Sequence, residues 1–173
     1  MPEPYKTPLQ DCIDYKADII AQLVASQEVV GLLLNDPNVD MDSDKTYTSL
    51  ANCIFDYDYI DRVVERSDAI IMIDADMVAP ISGSFNEWEV YVQIVCHKDY
   101  VPLNPKIFKG VKGNRRDNLM CSVDSLLNGS RLLGIGKLEL IRAHTAVVPD
   151  SFTSRMLTYR VKEARRERYG GKY

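Results

Sequence analysis

Hydrophobic positions change their spacing several times along this 173-residue chain, and each change marks an element. Leu9, Ile13, Ala17, Ile20 and Val24 recur at three- to four-residue intervals, which predicts a helix with that set turned inward, capped by Thr7 and opened by Pro8. Ser26 predicts the cap of a second, short helix with Val29, Val30, Leu33 and Leu34 inward. Asn35-Asp36-Pro37 ends it, since a proline disfavours a helical residue ahead of it. Residues 36–50, rich in Asp, Ser and Thr, predict an exposed loop. Ile54, Phe55, Tyr57, Tyr59 and Ile60 predict a short strand leading into a turn, and aromatic clustering of this kind marks core or interface. Ala69 to Ala75 predicts a strand, followed by a turn region from Pro80 to Ser84. From Asn86 to His97 the alternation is clearest: Trp88, Val90, Val92, Ile94 and Cys96 on one side, Glu87, Glu89, Tyr91, Gln93 and His97 on the other, with Val95 breaking the polar set.

The stretch from Asn114 to Arg165 organises the rest. Asn114 predicts a helix cap with Asp117 in capping-box position, Leu119, Met120, Val123, Leu126 and Leu127 form one apolar stripe, and Asn128-Gly129 supplies a left-handed stop. Lys137 to Ala143 and Thr153 to Glu163 predict two strands, the second with Arg155, Leu157, Tyr159 and Val161 on one side. These elements give an α+β fold: one domain over residues 1–164, with N-terminal helices and one central helix packed on a mostly antiparallel or mixed sheet, and a basic tail over 165–173. The segment from Pro102 to Gly113 is long for a connection and carries two prolines and three lysines, so mobility or a partner contact is expected there.

Composition narrows the function more than the fold. No window approaches the roughly 18 apolar residues of a membrane span, and Met1-Pro2-Glu3-Pro4 does not look like a signal peptide, which predicts a chain that is neither membrane-bound nor secreted. Cys12, Cys53, Cys96 and Cys121 form no close pair, so free thiols in a reducing compartment are expected. The net charge of −4 is unevenly placed: residues 1–100 hold 19 acidic and 6 basic side chains, residues 101–173 hold 6 and 15. A folded domain can mix these charges over its surface; alternatively, a two-poled subunit suits assembly in which one copy's acidic side meets another's basic side.

Candidate chemistry is sparse. His97 and His144 have no Cys, Asp or Glu at metal-ligand spacing, and no zinc pattern is present. Asp40-x-Asp42-x-Asp44 begins like a calcium loop, but Lys45 stands where a sharp-turn glycine is needed and Ala51 where a bidentate glutamate is needed. Gly134-Ile135-Gly136-Lys137 resembles the end of a phosphate loop. Arg131 and Leu138 occupy the other required positions, and a strand follows where a helix must, so a tight turn is the better account. Asp74 with Asp76, and Glu87 with Glu89, share a strand face; they can share protons or a cation, but such pairs more often mark a solvated sheet face. Lys106, Lys109, Lys112, Arg115 and Arg116 crowd one segment and Arg165, Arg166 and Arg168 another, so passing contact with DNA phosphates is open to both. The pI of about 5.2 argues against a dedicated nucleic-acid binder. No catalytic, cofactor or metal residue is assigned.

Taken in order, several segments resemble the neck proteins of tailed bacteriophages, in particular the tail terminator (tail completion) family. Gly113-Asn114-Arg115-Arg116-Asp117-Asn118-Leu119 is similar to that family's Gly-x-Arg-x-Asp-x-Ile/Leu opening. Val123 to Gly129, Leu133 to Leu140, the late strand from Ser154 to Val161, and the first helices ending in Leu34-Asn35-Asp36-Pro37 continue the likeness. Residues 36–50 and the basic terminus have no place in that pattern. The resemblance implies a structural virion subunit assembled in the bacterial host cytoplasm. It would form a closed, usually hexameric ring that caps the tail tube and joins it to a head-closure or connector protein, with no enzymatic role and no cofactor. Head closure is the structural alternative, and a small metal-dependent enzyme or a monomeric binding module are the others. Contact regions expected for the ring are Trp88 with its strand neighbours, Lys106, Lys109 and Lys112 in the long connection, and Arg165, Arg166 and Arg168 in the tail.

Overall fold

The computed structural model describes residues 8–57, 68–82, 85–131 and 136–164. Among these, α1 spans Pro8–Ala25, α2 Gln27–Leu34, α3 Asp44–Leu50 and α4 Arg115–Leu127. The strands are β1 Ile54–Phe55, β2 Ala69–Ser82, β3 Phe85–His97, β4 Glu139–His144 and β5 Phe152–Ala164. They form one sheet in the order β1-β2-β3-β5-β4, parallel between β1 and β2 and antiparallel elsewhere. The fold is therefore α+β, a single domain with helices packed on a mixed sheet, as the periodicity predicts.

The core lies between the helices and one sheet face. Ile71, Ile73 and Ala75 of β2, Trp88, Val90, Val92, Ile94 and Cys96 of β3, and Leu157, Tyr159 and Val161 of β5 are all buried there. Leu119, Val123 and Leu127 of α4 and Tyr15, Ile19 and Leu23 of α1 cover them. Tyr15 meets Trp88 edge-on, ring centroids 5.5 Å apart. Because side chains alternate along a strand, the opposite face carries Asp74, Asp76, Glu87, Glu89, Tyr91, Thr158 and Arg160.

Local signals place the helix ends. Ser26 accepts from the Val29 amide at 3.3 Å, and α2 stops at Asn35, whose left-handed φ of 60° lets the chain turn back. Asn114 accepts from the Asp117 amide at 2.9 Å while its own amide group donates to the Asp117 carboxylate at 2.7 Å, a reciprocal cap. Gly129, at φ 79°, supplies the turn beyond α4. No single helix among the described residues is long and apolar enough to cross a membrane, and α1 and α2 meet at 79°.

Four expectations change. On α1 the fully buried residues are Tyr15, Ile19 and Leu23; of the expected set Ile20 and Val24 pack partly against the core, whereas Leu9, Ile13 and Ala17 are exposed. This helix has two apolar ridges, and periodicity cannot say which one the sheet takes. The segment expected as a loop over 36–50 contains α3, capped by Ser43 and held by buried Thr46 and Leu50, because its polar residues serve as cap and turn formers. β2 does not end before Pro80 but runs to Ser82. Register shifts between Met77 and Ala79 and between Pro80 and Ser82 admit a residue that cannot donate to the ladder. Trp88 is wholly buried in the core, so it offers no contact surface. Gly134, Ile135 and residues 165–173 lie outside the described residues.

Gly31 gives a test of packing. A Cβ there would sit 3.0 Å from both the Asp36 carbonyl oxygen and the Pro37 Cα. That backbone is fixed by the proline ring and by the Asp36 amide bonding Gly31 at 3.0 Å. Alanine would gain about 1 kcal/mol of helix propensity, but overpacking against rigid backbone costs about 1–3 kcal/mol. Gly31→Ala is expected to lower stability by roughly 1 kcal/mol in urea denaturation; a stabilised variant would show that the loop yields.

Candidate interaction site

Gly113, at φ 85°, swings the long connection into the cap of α4 and so delivers Arg115 inward at the helix start. The Arg115 side chain is 1% exposed. Its Nε donates to the Tyr100 carbonyl at 2.8 Å, its Nη1 to the Leu32 carbonyl, and its Nη2 to the Asn35 Oδ1 at 2.6 Å. The guanidinium stacks 4.0 Å over the Tyr100 ring and 5.5 Å from the Phe108 ring centroid. Tyr100 in turn donates its hydroxyl to the Leu33 carbonyl at 3.0 Å. One cation thereby closes the carbonyl end of α2, where the helix dipole is negative, and ties it to α4 and the segment between β3 and α4. Burial lowers the Arg115 pKa, an effect partly offset by Tyr100 and Cys96.

What the clamp holds in place is the 102–113 connection. Phe108 is buried against it, whereas Ile107 and Val111 stay 39% and 44% exposed. A groove of about 330 Å³ opens between this connection and α2, lined by Gly31, Leu32, Pro37, Phe108 and Val111 with Gln27, Glu28 and Asn118. Lys106, Lys109 and Lys112 are all exposed on the same connection, the location expected for them. Arg115 and Arg116 do not join them. Arg116 donates to the Asp117 carboxylate at 2.8 and 3.0 Å and to Thr153 Oγ1 at 2.5 Å, so neither arginine has a free guanidinium for phosphate.

On the outer sheet face Arg160 lies between Glu87 and Glu89, 2.7 Å from each. Tyr91 donates to Glu89 at 2.9 Å. The Glu87–Glu89 pair therefore does share a cation, but one from its own sheet. Asp74 likewise has Lys16 at 3.7 Å. A shallow cavity of about 400 Å³ adjoins Glu89, Tyr91, Arg142, His144 and Met156. His97 closes the central strand β3 and accepts from the Asp99 amide at 3.3 Å, capping the 3₁₀ turn Lys98–Tyr100.

Two thiols and two phenols are held in their protonated forms. Burial raises the Cys12 thiol and pushes Cys96 up to about 12. Burial, then the hydrogen bond to Glu89, carry Tyr91 up to about 12, and burial with Asp124 raises Tyr159. Among the described residues no three His, Cys, Asp or Glu side chains converge as metal ligands. Asp40 instead caps the Asp42 amide at 3.1 Å, and Asp44 opens α3.

These features define a small α+β domain with a clamped, outward-facing loop and one charged sheet face. Residues 26–161 match the YomW family, and the chain belongs to that family. Its fold is also that of a chain in the virion of a native gene transfer agent particle, with a TM-score of 0.52 and 12% identity, over 92% of this chain and 99% of that one. No curated protein matches the sequence. The matched span includes the whole clamp, from Leu32 to Arg115.

Two outcomes follow. Replacing Arg115 by Met leaves buried carbonyls unpaired at about 1–3 kcal/mol each, so a loss of about 3 kcal/mol or more is expected in chemical denaturation. Arg115→Lys should recover little of it, since an ammonium cannot reproduce the planar fork; full recovery would show that charge alone matters. The second concerns acid. The Arg160 hydrogen bond lowers the Glu89 pKa below its ordinary 4.5, despite some burial. At Asp117 burial raises the pKa, but hydrogen bonds from Arg116 and Asn114 and the charges of Arg116 and Arg155 outweigh it, leaving the value below 3.8. Both groups are depressed in the fold, so their contribution is full above the unfolded values and is lost as pH falls through the folded ones. Stability should therefore fall as pH drops below about 4.5, and Glu89→Gln should flatten part of that slope.

Proposed function

We propose that this chain is a structural virion subunit of a tailed phage or phage-like particle, and specifically the tail terminator, a ring that caps the tail tube and joins it to the head. The observation that carries this reading is the fold likeness to a gene transfer agent virion chain, which extends over nearly the full length of both molecules. Fold alone does not set function. The same reading draws support from the Gly113-x-Arg115-x-Asp117-x-Leu119 segment, whose four named residues serve in turn as left-handed turn, clamp, cap and core. It is also in keeping with thiols and phenols pushed away from reactivity. A subunit of this kind works by surface complementarity and burial between copies, without turnover.

Incubating the purified chain with purified tail tubes and, separately, with head connectors tests the reading by electron microscopy. Density at tube ends, together with arrested tube growth, is the expected result. Binding to connectors alone would assign the chain to head closure, and binding to neither would overturn the neck role.

A further inference from the structure

We infer that the groove beside the 102–113 connection is filled by the exposed ridge of α1 from a second copy of this chain, giving a head-to-tail contact. Leu9 and Ile13 are 63% and 59% exposed and, with Ala17, recur every four residues along α1. Three such positions make a continuous apolar ridge on the side of the helix that the sheet does not cover. The groove is the other half. A cavity of about 150 Å³ is enough to hold benzene, so one of about 330 Å³ takes roughly two aliphatic side chains. Both surfaces stay exposed in the folded subunit, so neither covers the other within one chain.

Charge points to a copy of the same chain as occupant. α1 carries three aspartates, and its one basic residue, Lys16, is turned to its own Asp56 carbonyl at 2.8 Å and Asp74 at 3.7 Å. Residues 102–113 carry Lys106, Lys109 and Lys112 and no acidic residue. The groove lining itself carries one charge, Glu28 on α2, so the charge complementary to the acidic, apolar ridge comes from the three exposed lysines of the connection that forms the groove's other wall. The open edge at β4 is a weaker candidate: Glu139, Arg142 and a register shift between Leu140 and Arg142 blunt it against strand pairing. Ridge and groove are different surfaces, so the contact is heterologous and propagates until the rotation closes it.

The inference borrows its setting from the terminator reading, but its test does not. Ile13→Glu disables the ridge and Val111→Glu the groove, both at exposed positions, so each variant should keep the wild-type melting profile. In sedimentation velocity, the wild type is expected to associate with concentration and to weaken as salt is raised. Each variant alone should associate roughly 100-fold more weakly, because an unpaired charge would be buried. An equimolar mixture of the two should stop at a heterodimer, since one intact ridge and one intact groove remain. Association that survives either substitution, a mixture that assembles beyond two subunits, or a wild type that stays monomeric would overturn the inference. Tube capping by the wild type reports on the terminator reading independently: capping with unaffected variants sinks only this contact, and a heterodimer without capping sinks only that reading.

Discussion

The fold depends on how one cation is kept out of water. Burying a guanidinium costs several kcal/mol unless its donors are met, and Arg115 meets the cost without a carboxylate, through three oxygens and an aromatic face. Two of those oxygens, from Leu32 and Asn35, belong to the end of α2, where the last carbonyls lack partners of their own. The arrangement therefore satisfies a helix terminus and a buried charge with the same bonds. Because a carbonyl dipole needs no protonation, the clamp holds over the whole pH range in which Arg stays charged. Its acid sensitivity is consequently delegated to Glu89 and Asp117 on other parts of the surface.

That clamp also explains how a long connection can carry exposed apolar groups without collapsing. Phe108 is drawn in beside Arg115, and the chain on either side is fixed by Tyr100 and by the cap at Asn114. Ile107, Val111 and the three lysines are then exposed on a connection anchored at both ends. The sheet makes a parallel division. One face is filled by helices, and on the other Arg160 bridges Glu87 and Glu89, offsetting one of their two charges.

Much of this was legible from periodicity and caps. The α4 helix with its stripe, the alternation of β3 and β5, and the ends of α2 all follow from short-range rules, because Ser26, Asn35, Asn114 and Gly129 act on residues close by in sequence. What failed depends on distance. Choosing between the two ridges of α1 requires knowing where Trp88 and Tyr15 meet. Reading Arg115 as a phosphate contact ignored acceptors 80 and 83 residues away, and no local pattern reveals them. Pro80 looked like a strand end because the bulges that accommodate it are set by its partner strand. The groove was out of reach for the same reason: Gly31 and Val111 become neighbours only after the clamp closes.

The segment carrying the family resemblance therefore has an indirect bearing on function. Its glycine, arginine, aspartate and leucine are committed to turn, clamp, cap and core, and none is presented to a partner. A motif of this type fixes where the connection before it must run but leaves Lys106, Ile107, Lys109, Val111 and Lys112 unconstrained by folding, as surface loops usually are. Chains sharing the motif can then keep one architecture while offering different surfaces. The clamp thereby fixes the course of that connection without setting which side chains it displays.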